Sequence, residues 1–184
     1  MPDPPEGARV TGRIVHQAGF LRIECLQVQA RDGRMLDRHV VRHPGAVTVV
    51  PVLDDGRLVM IRNYRIAVGE WLEEFCAGKL EAGEDPEPAA GRELEEECGY
   101  RAGSVRRLGA YLTSPGFCDE LMHLYEATAL TPCEQALEAD EQIEVELVHP
   151  DEVERRIASG RIKDGKSIAA FHLWRACGGG SHGR

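Results

Sequence analysis

GKLEAGEDPEPAAGRELEEECGY, residues Gly78 to Tyr100, decides how the rest of this chain is read. Asp85 followed by Pro86 predicts a helix start. The carboxylate can cap the first turn, and proline at the first helical position loses nothing by lacking an N–H. Gly99 offers a left-handed stop, so the helix is expected from about Pro86 to Cys98. At about 3.6 residues per turn, Glu93, Glu96 and Glu97 fall at i, i+3 and i+4 and share a face. Ala90, Leu94 and Cys98 follow at i+4 steps on a neighbouring stripe that can pack on a core. Adjacent anions repel and weaken a helix, and Arg92 relieves only part of that. A divalent cation is the simplest further compensation, and oxygen-only ligands suit Mg²⁺ or Mn²⁺. Such an ion polarises a phosphoryl oxygen and helps generate hydroxide, chemistry suited to water attacking a phosphoanhydride.

Length and composition narrow the frame. A chain of 184 residues fits one domain with a small appendage, and 42% hydrophobic content is enough for a core. The net charge of −9 argues against a nucleic-acid or anionic-membrane surface. No apolar run reaches the roughly 20 residues needed to span a bilayer, and MPDPPEGARV lacks the pattern of a signal peptide. Cys25, Cys76, Cys98, Cys118, Cys133 and Cys177 form no CxxC pair and read as free thiols in a reducing cytoplasm. The histidines show no ligand spacing.

Outward from the motif, alternating apolar and polar residues predict strands at Ala8–Gln17, Phe20–Ala30 and Met35–Arg42, with RDGR at 31–34 as a turn. Gly45–Leu53 reads as a buried central strand, Arg57–Tyr64 as its hairpin partner, and Trp71–Ala77 as one short strand leading into the motif. Beyond it, Val105–Leu112, Leu121–Ala129 and Ile143–His149 read as strands, and Pro150–Ser159 and Ser167–Cys177 as helices. The second helix offers Ile168, Phe171, Leu173 and Trp174 for burial. Strands and helices without regular βαβ alternation indicate an α+β fold with a mixed sheet.

The string Gly78, five residues, Glu84, seven residues, Arg92-Glu93-Leu94, one residue, Glu96-Glu97, one residue, Gly99-Tyr100 resembles the signature of the Nudix hydrolases at every fixed position. The resemblance implies an α/β/α sandwich and metal-dependent hydrolysis of a nucleoside diphosphate linked to another moiety. It makes Glu93 and Glu97 the principal metal ligands, with Glu96 and the carbonyl of Ala77 beside them. Arg92 would orient the carboxylates and Glu84 would hold the loop on the helix.

Features outside the motif point within the family. SPGFCDE, with Pro115 fifteen residues after Tyr100, is similar to the ADP-ribose pyrophosphatase branch, and that match makes Glu120 a ribose contact. The bland alternative is a Pro-Gly turn. Arg62-Asn63-Tyr64-Arg65 resembles the same branch's QYR string, which would send Arg65 to the substrate phosphates; otherwise Arg65 ends an edge strand. Arg42 is a second candidate anion contact. The acidic stretch EADEQIEV (138–145) falls where this branch carries a catalytic loop. Glu141 is the expected metal or general-base residue, with Glu138 and Asp140 as alternatives; the branch's Glu-x-Glu form is broken by alanine at position 139. The expected organisation is a dimer-forming β unit over 1–43, a Nudix domain over 44–177 and a flexible tail over 178–184. Phe20, Tyr64 and Trp71 are candidates to stack on adenine in such a homodimer. Competing readings are a pyrophosphatase of GDP-mannose, UDP-glucose or ADP-glucose, a triphosphate or RNA-cap hydrolase, and a non-catalytic sensor of the family.

Overall fold

The computed structural model describes residues 9–138 and 141–180. It divides into two compact units, one holding the chain up to Pro44 together with Leu112–Leu121, the other Gly45–Tyr111 and Met122 onward. No helix among the described residues is long and apolar enough to cross a membrane.

The first unit is an antiparallel meander of β1 (Arg9–Ala18), β2 (Leu21–Gln29) and β3 (Met35–Arg42). Its second turn is set by Gly33 at φ 83°, a backbone state open to glycine, with the Ala30 N–H donating to the Arg34 carbonyl at 2.8 Å. Glu24 on β2 is buried and is neutralised by Arg22 and by Arg42, the latter at 2.9 Å. The stretch 112–121, which carries SPGFCDE, belongs to this unit. The Val41 N–H donates to the Phe117 carbonyl at 2.7 Å, and Asp119 accepts from the His43 N–H and from Arg42, both at 2.9 Å.

The second unit runs β4 (Ala46–Pro51), β5 (Leu58–Arg65), β6 (Glu70–Glu74), β7 (Ala77–Lys79), α1 (Pro86–Glu93), a π-helical turn Leu94–Cys98, β8 (Tyr100–Leu112), β9 (Leu121–Pro132), β10 (Ile143–Val148), α2 (Pro150–Ala158) and α3 (Gly165–Ala176). One sheet has the order β10-β5-β6 and is antiparallel; the other has the order β7-β4-β9-β8, with β4 and β9 parallel. Alternate residues of β4 and β5 face opposite ways. Val50, Leu58 and Met60 join Phe171 and Trp174 of α3 and Val153 of α2 in one core. Val47, Val49, Val59 and Ile61 join Ala89, Ala90, Leu94 and Cys98 in the other. Sheets buried on both faces by helices make the expected α/β/α sandwich.

Five local readings are corrected. Arg57–Tyr64 is not a hairpin partner of the central strand: it pairs with that segment only at the Val52–Leu58 bridge, and β5 pairs instead with β6 and β10 in the other sheet. Trp71–Ala77 is not one strand: the Phe75 N–H donates to the Ser167 hydroxyl at 2.7 Å instead of to a neighbouring strand, so β6 pairs with β5 while β7 crosses to β4. The helix keeps its Asp85 cap and its Gly99 stop at φ 69°, but its last turn widens to π-helix. Strand β8 starts at Tyr100, directly after that stop, and not near Val105. The first part of the supposed flexible tail is packed: Gly179 is buried, and a Cβ there would stand 2.2 Å from the Trp174 ring.

Candidate active site

The motif folds as a loop laid against a short helix. The Asp85 carboxylate accepts the Glu87 N–H at 3.1 Å, and Pro86 opens α1. Arg92, in the last turn of α1, reaches Glu84 at 3.2 Å, Glu93 at 2.7 Å and Glu96 at 2.8 Å. Glu84 also accepts the Glu81 N–H at 2.8 Å, so one carboxylate closes the loop and ties it to the helix. Its pKa falls below the ordinary range through the Arg92 and Glu81 hydrogen bonds. Arg92 is raised despite its partial burial, by Glu84, Glu93 and Glu96 together.

Glu97 is the most deeply placed carboxylate of the motif, 3% exposed, and accepts the Ala77 N–H at 2.9 Å. Burial pushes its carboxyl up to about 8; the Ala77 N–H pulls the other way, and the neighbouring charges of Glu93 and Glu141 push it further up. Burial also raises Glu93, against the pull of Arg92. The Glu93 carboxylate lies over the backbone of Gly78, where a Cβ would sit 1.9 Å from its carboxyl carbon. Only glycine at 78 lets loop and carboxylate approach this closely.

The structure thus gathers Arg92, Glu93, Glu96, Glu97 and Ala77, and it brings Glu141 within electrostatic reach of Glu93 and Glu97. Glu141 folds back on its own loop and accepts the Glu138 N–H at 2.8 Å. Glu138 is exposed, and Asp140 lies outside the described residues. Arg65 ends β5, which is the middle strand of its sheet and not an edge. Its guanidinium forks onto Glu74 at 2.8 and 2.6 Å, and it lies within electrostatic reach of Glu97. Arg42 and Glu120 belong to the other unit. There Arg42 pairs with Glu24 and Asp119, while Glu120 accepts the Thr113 hydroxyl at 2.7 Å and stands 3.5 Å from His43. Of the aromatic candidates, Phe20 meets His43 edge-on, and Tyr64 meets Trp71, over which Arg62 is stacked at 5.5 Å.

Among the described residues, no three His, Cys, Asp or Glu side chains stand as a ready metal-holding group. Arg92 holds Glu93 and Glu96 in ion pairs of its own. The chemistry of the donors still fits a hard divalent ion: all are oxygen ligands, and two are buried carboxyls whose ionised form burial disfavours until a cation is near.

One set of residues escaped the sequence reading. Glu74, fully buried, also receives the Lys166 ammonium. Lys166 in turn reaches Asp164 at 2.9 Å, and Asp164 caps α3 by accepting the Ser167 N–H at 2.9 Å. Asp164 three residues ahead of Ser167 is a readable helix start, but nothing local links it to Glu74.

Such a carboxylate-lined loop and helix on a sandwich of two sheets defines a class of protein, and comparison bears it out. The NUDIX domain matches residues 42–171, and the chain belongs to that family. The chain is 40% identical over 162 residues to a methanol dehydrogenase activator of Bacillus methanolicus, covering 87% of this chain and 84% of that protein. It is 39% identical over 146 residues to an ADP-ribose pyrophosphatase of Bacillus subtilis (strain 168), covering 78% of this chain and 79% of that one. A solved ADP compounds hydrolase superposes with a TM-score of 0.86 over 98% of both chains at 20% identity, which shows a shared fold.

Proposed function

We propose that this chain is a divalent-metal-dependent ADP-ribose pyrophosphatase, cleaving the diphosphate to AMP and ribose 5-phosphate. The observation that carries the reading is the buried Glu93–Glu97 pair beside Gly78, a concentration of carboxylate in need of cations. The ADP-ribose pyrophosphatase of Bacillus subtilis, similar over most of both chains, supports the substrate. Glu93, Glu97, Glu96, Glu141 and the Ala77 carbonyl would hold Mg²⁺ or Mn²⁺. When bound, the ion neutralises diphosphate charge and acidifies water.

The chain's own residues do the rest. Arg92 spaces Glu93 and Glu96. The Ala77 N–H fixes the rotamer of Glu97. Arg65, a planar fork with donors on more than one edge, can grip a phosphate oxygen while still paired to Glu74. Glu141 would accept the proton of the attacking water when its carboxylate stands within hydrogen-bond reach, with Glu138 and Asp140 as its alternates. Arg42 and Glu120 keep their proposed substrate roles on sequence resemblance alone. A cytoplasmic setting suits six cysteines that are all free. A homodimer is part of the proposal, supported by the exposed Val15, Phe20 and Met35 of the first unit. Light scattering that finds a monomer at micromolar concentration removes it.

The test is a panel of nucleoside diphosphate sugars with Mg²⁺, scored by product. AMP and ribose 5-phosphate from ADP-ribose, at the highest kcat/KM of the panel, is the expected result. Preference for GDP-mannose or UDP-glucose replaces the substrate, and no turnover of any member leaves a sensor. A second reading, activation of a methanol dehydrogenase, is favoured by the Bacillus methanolicus relative. Adding the chain to such a dehydrogenase and following its rate decides that point.

A further inference from the structure

We propose that Lys166 is a positioning residue for the diphosphate: it neutralises Glu74, so that Arg65 is held in place by Glu74 without being spent on it. The inference rests on the reading of Arg65 as a phosphate contact. Glu74 has no exposed surface, and both its carboxylate oxygens are engaged by Arg65, at 2.8 and 2.6 Å. A buried carboxylate facing one guanidinium and nothing else would form a closed, neutral pair with little attraction left for a substrate anion. Lys166 and Asp164 widen that pair into a group of two cations and two anions, in which Glu74 is shared between Arg65 and Lys166. The Lys166 ammonium meets the Glu74 oxygen that also receives Nη2 of Arg65, and its side chain is only 12% exposed. Burying a lysine is costly unless its charge is used, and here it is used on a carboxylate already occupied by an arginine.

The lysine is itself fixed. Asp164 accepts Lys166 Nζ at 2.9 Å and the Ser167 hydroxyl at 2.5 Å, while capping α3 through the Ser167 N–H. The same Ser167 oxygen accepts the Phe75 N–H at 2.7 Å, two residues before Ala77, whose N–H holds Glu97. The four residues Asp164-Gly165-Lys166-Ser167 therefore reach the site by two routes. One runs through Glu74 to Arg65, and the other through the β6–β7 break to Glu97. Asp164 alone suffices to cap α3, and Lys166 extends that cap across to Glu74.

The experiment is steady-state kinetics on ADP-ribose with Mg²⁺ for Lys166→Met, Lys166→Arg, Asp164→Asn and Arg65→Lys, with a thermal melt of each. Lys166→Met is expected to raise KM about tenfold or more, on the scale seen when partners of site residues are removed, with a smaller change in kcat. Lys166→Arg, which restores the charge, is expected to bring KM back toward the parent value. Asp164→Asn keeps the helix cap while loosening the lysine, so it raises KM in the same direction even if Lys166→Met does not fold. Parental KM in Lys166→Met or Asp164→Asn beside an impaired Arg65→Lys overturns the inference. Parental kinetics in Arg65→Lys removes instead the reading on which it stands.

Discussion

Two arginines in the second unit each gather three glutamates, and their clusters behave in opposite ways. Arg156 meets Glu73 at 3.0 Å, Glu146 at 2.7 Å and Glu152 at 3.0 Å. Arg161 also pairs with Glu73 at 2.6 Å, and Arg155 with Glu152 at 2.7 Å, so cations match anions. Hydrogen bonds from Arg156 hold Glu146 and Glu152 below the ordinary carboxylate range. Arg92 meets Glu84, Glu93 and Glu96, but Glu97 and Glu141 crowd the same space without a further arginine bonded to them among the described residues. There Glu93 and Glu97 are pushed up, chiefly by burial. Identical chemistry gives a structural brace where charge balances and, on the function proposed above, a cation-seeking site where it does not. A surplus of buried carboxylate, more than the presence of an ion-pair network, separates function from architecture.

That contrast can be broken by mutation. Glu97→Gln, which removes the most buried anion of the surplus, is expected to cut kcat by about 10²-fold or more, with an unchanged circular dichroism spectrum. Arg156→Met does the reverse. It leaves Glu73, 10% exposed, without its buried partner and is expected to cost about 3 kcal/mol in urea unfolding, while kcat of the folded protein stays near the parent. Gly78→Ala forces a methyl group into the Glu93 carboxylate. It should lower stability by about 1–3 kcal/mol through overpacking and depress activity as well.

The contrast also shows in pH dependence. The Glu97 carboxyl titrates at 4.5 when unperturbed and at about 8 in the fold, a raised value. Its stabilising contribution is complete below 4.5 and is lost as pH rises through about 8. In chelator the melting temperature should therefore fall across that window, the fall should flatten in Glu97→Gln, and Mg²⁺ should reduce it in the parent.

Much of this site was legible because its determinants are local. Asp85-Pro86 and Gly99 bound the helix, and Ala90, Leu94 and Cys98 are buried on the predicted stripe. What stayed hidden depends on partners distant in sequence. The break between β6 and β7 is set by Ser167, and the hold on Arg65 by Glu74 and Lys166. SPGFCDE joins the N-terminal unit through the bonds of Asp119 to Arg42 and His43. The π-helical turn carries no residue signature, since Leu94–Cys98 suits an α-helix equally well.

Calorimetric titration of Mn²⁺ into the parent and into Glu97→Gln is the most direct test of the central claim. Saturable binding by the parent, with affinity lowered about tenfold or more in the variant, is the predicted result. Equal affinity in both proteins, or no binding by the parent, would contradict it.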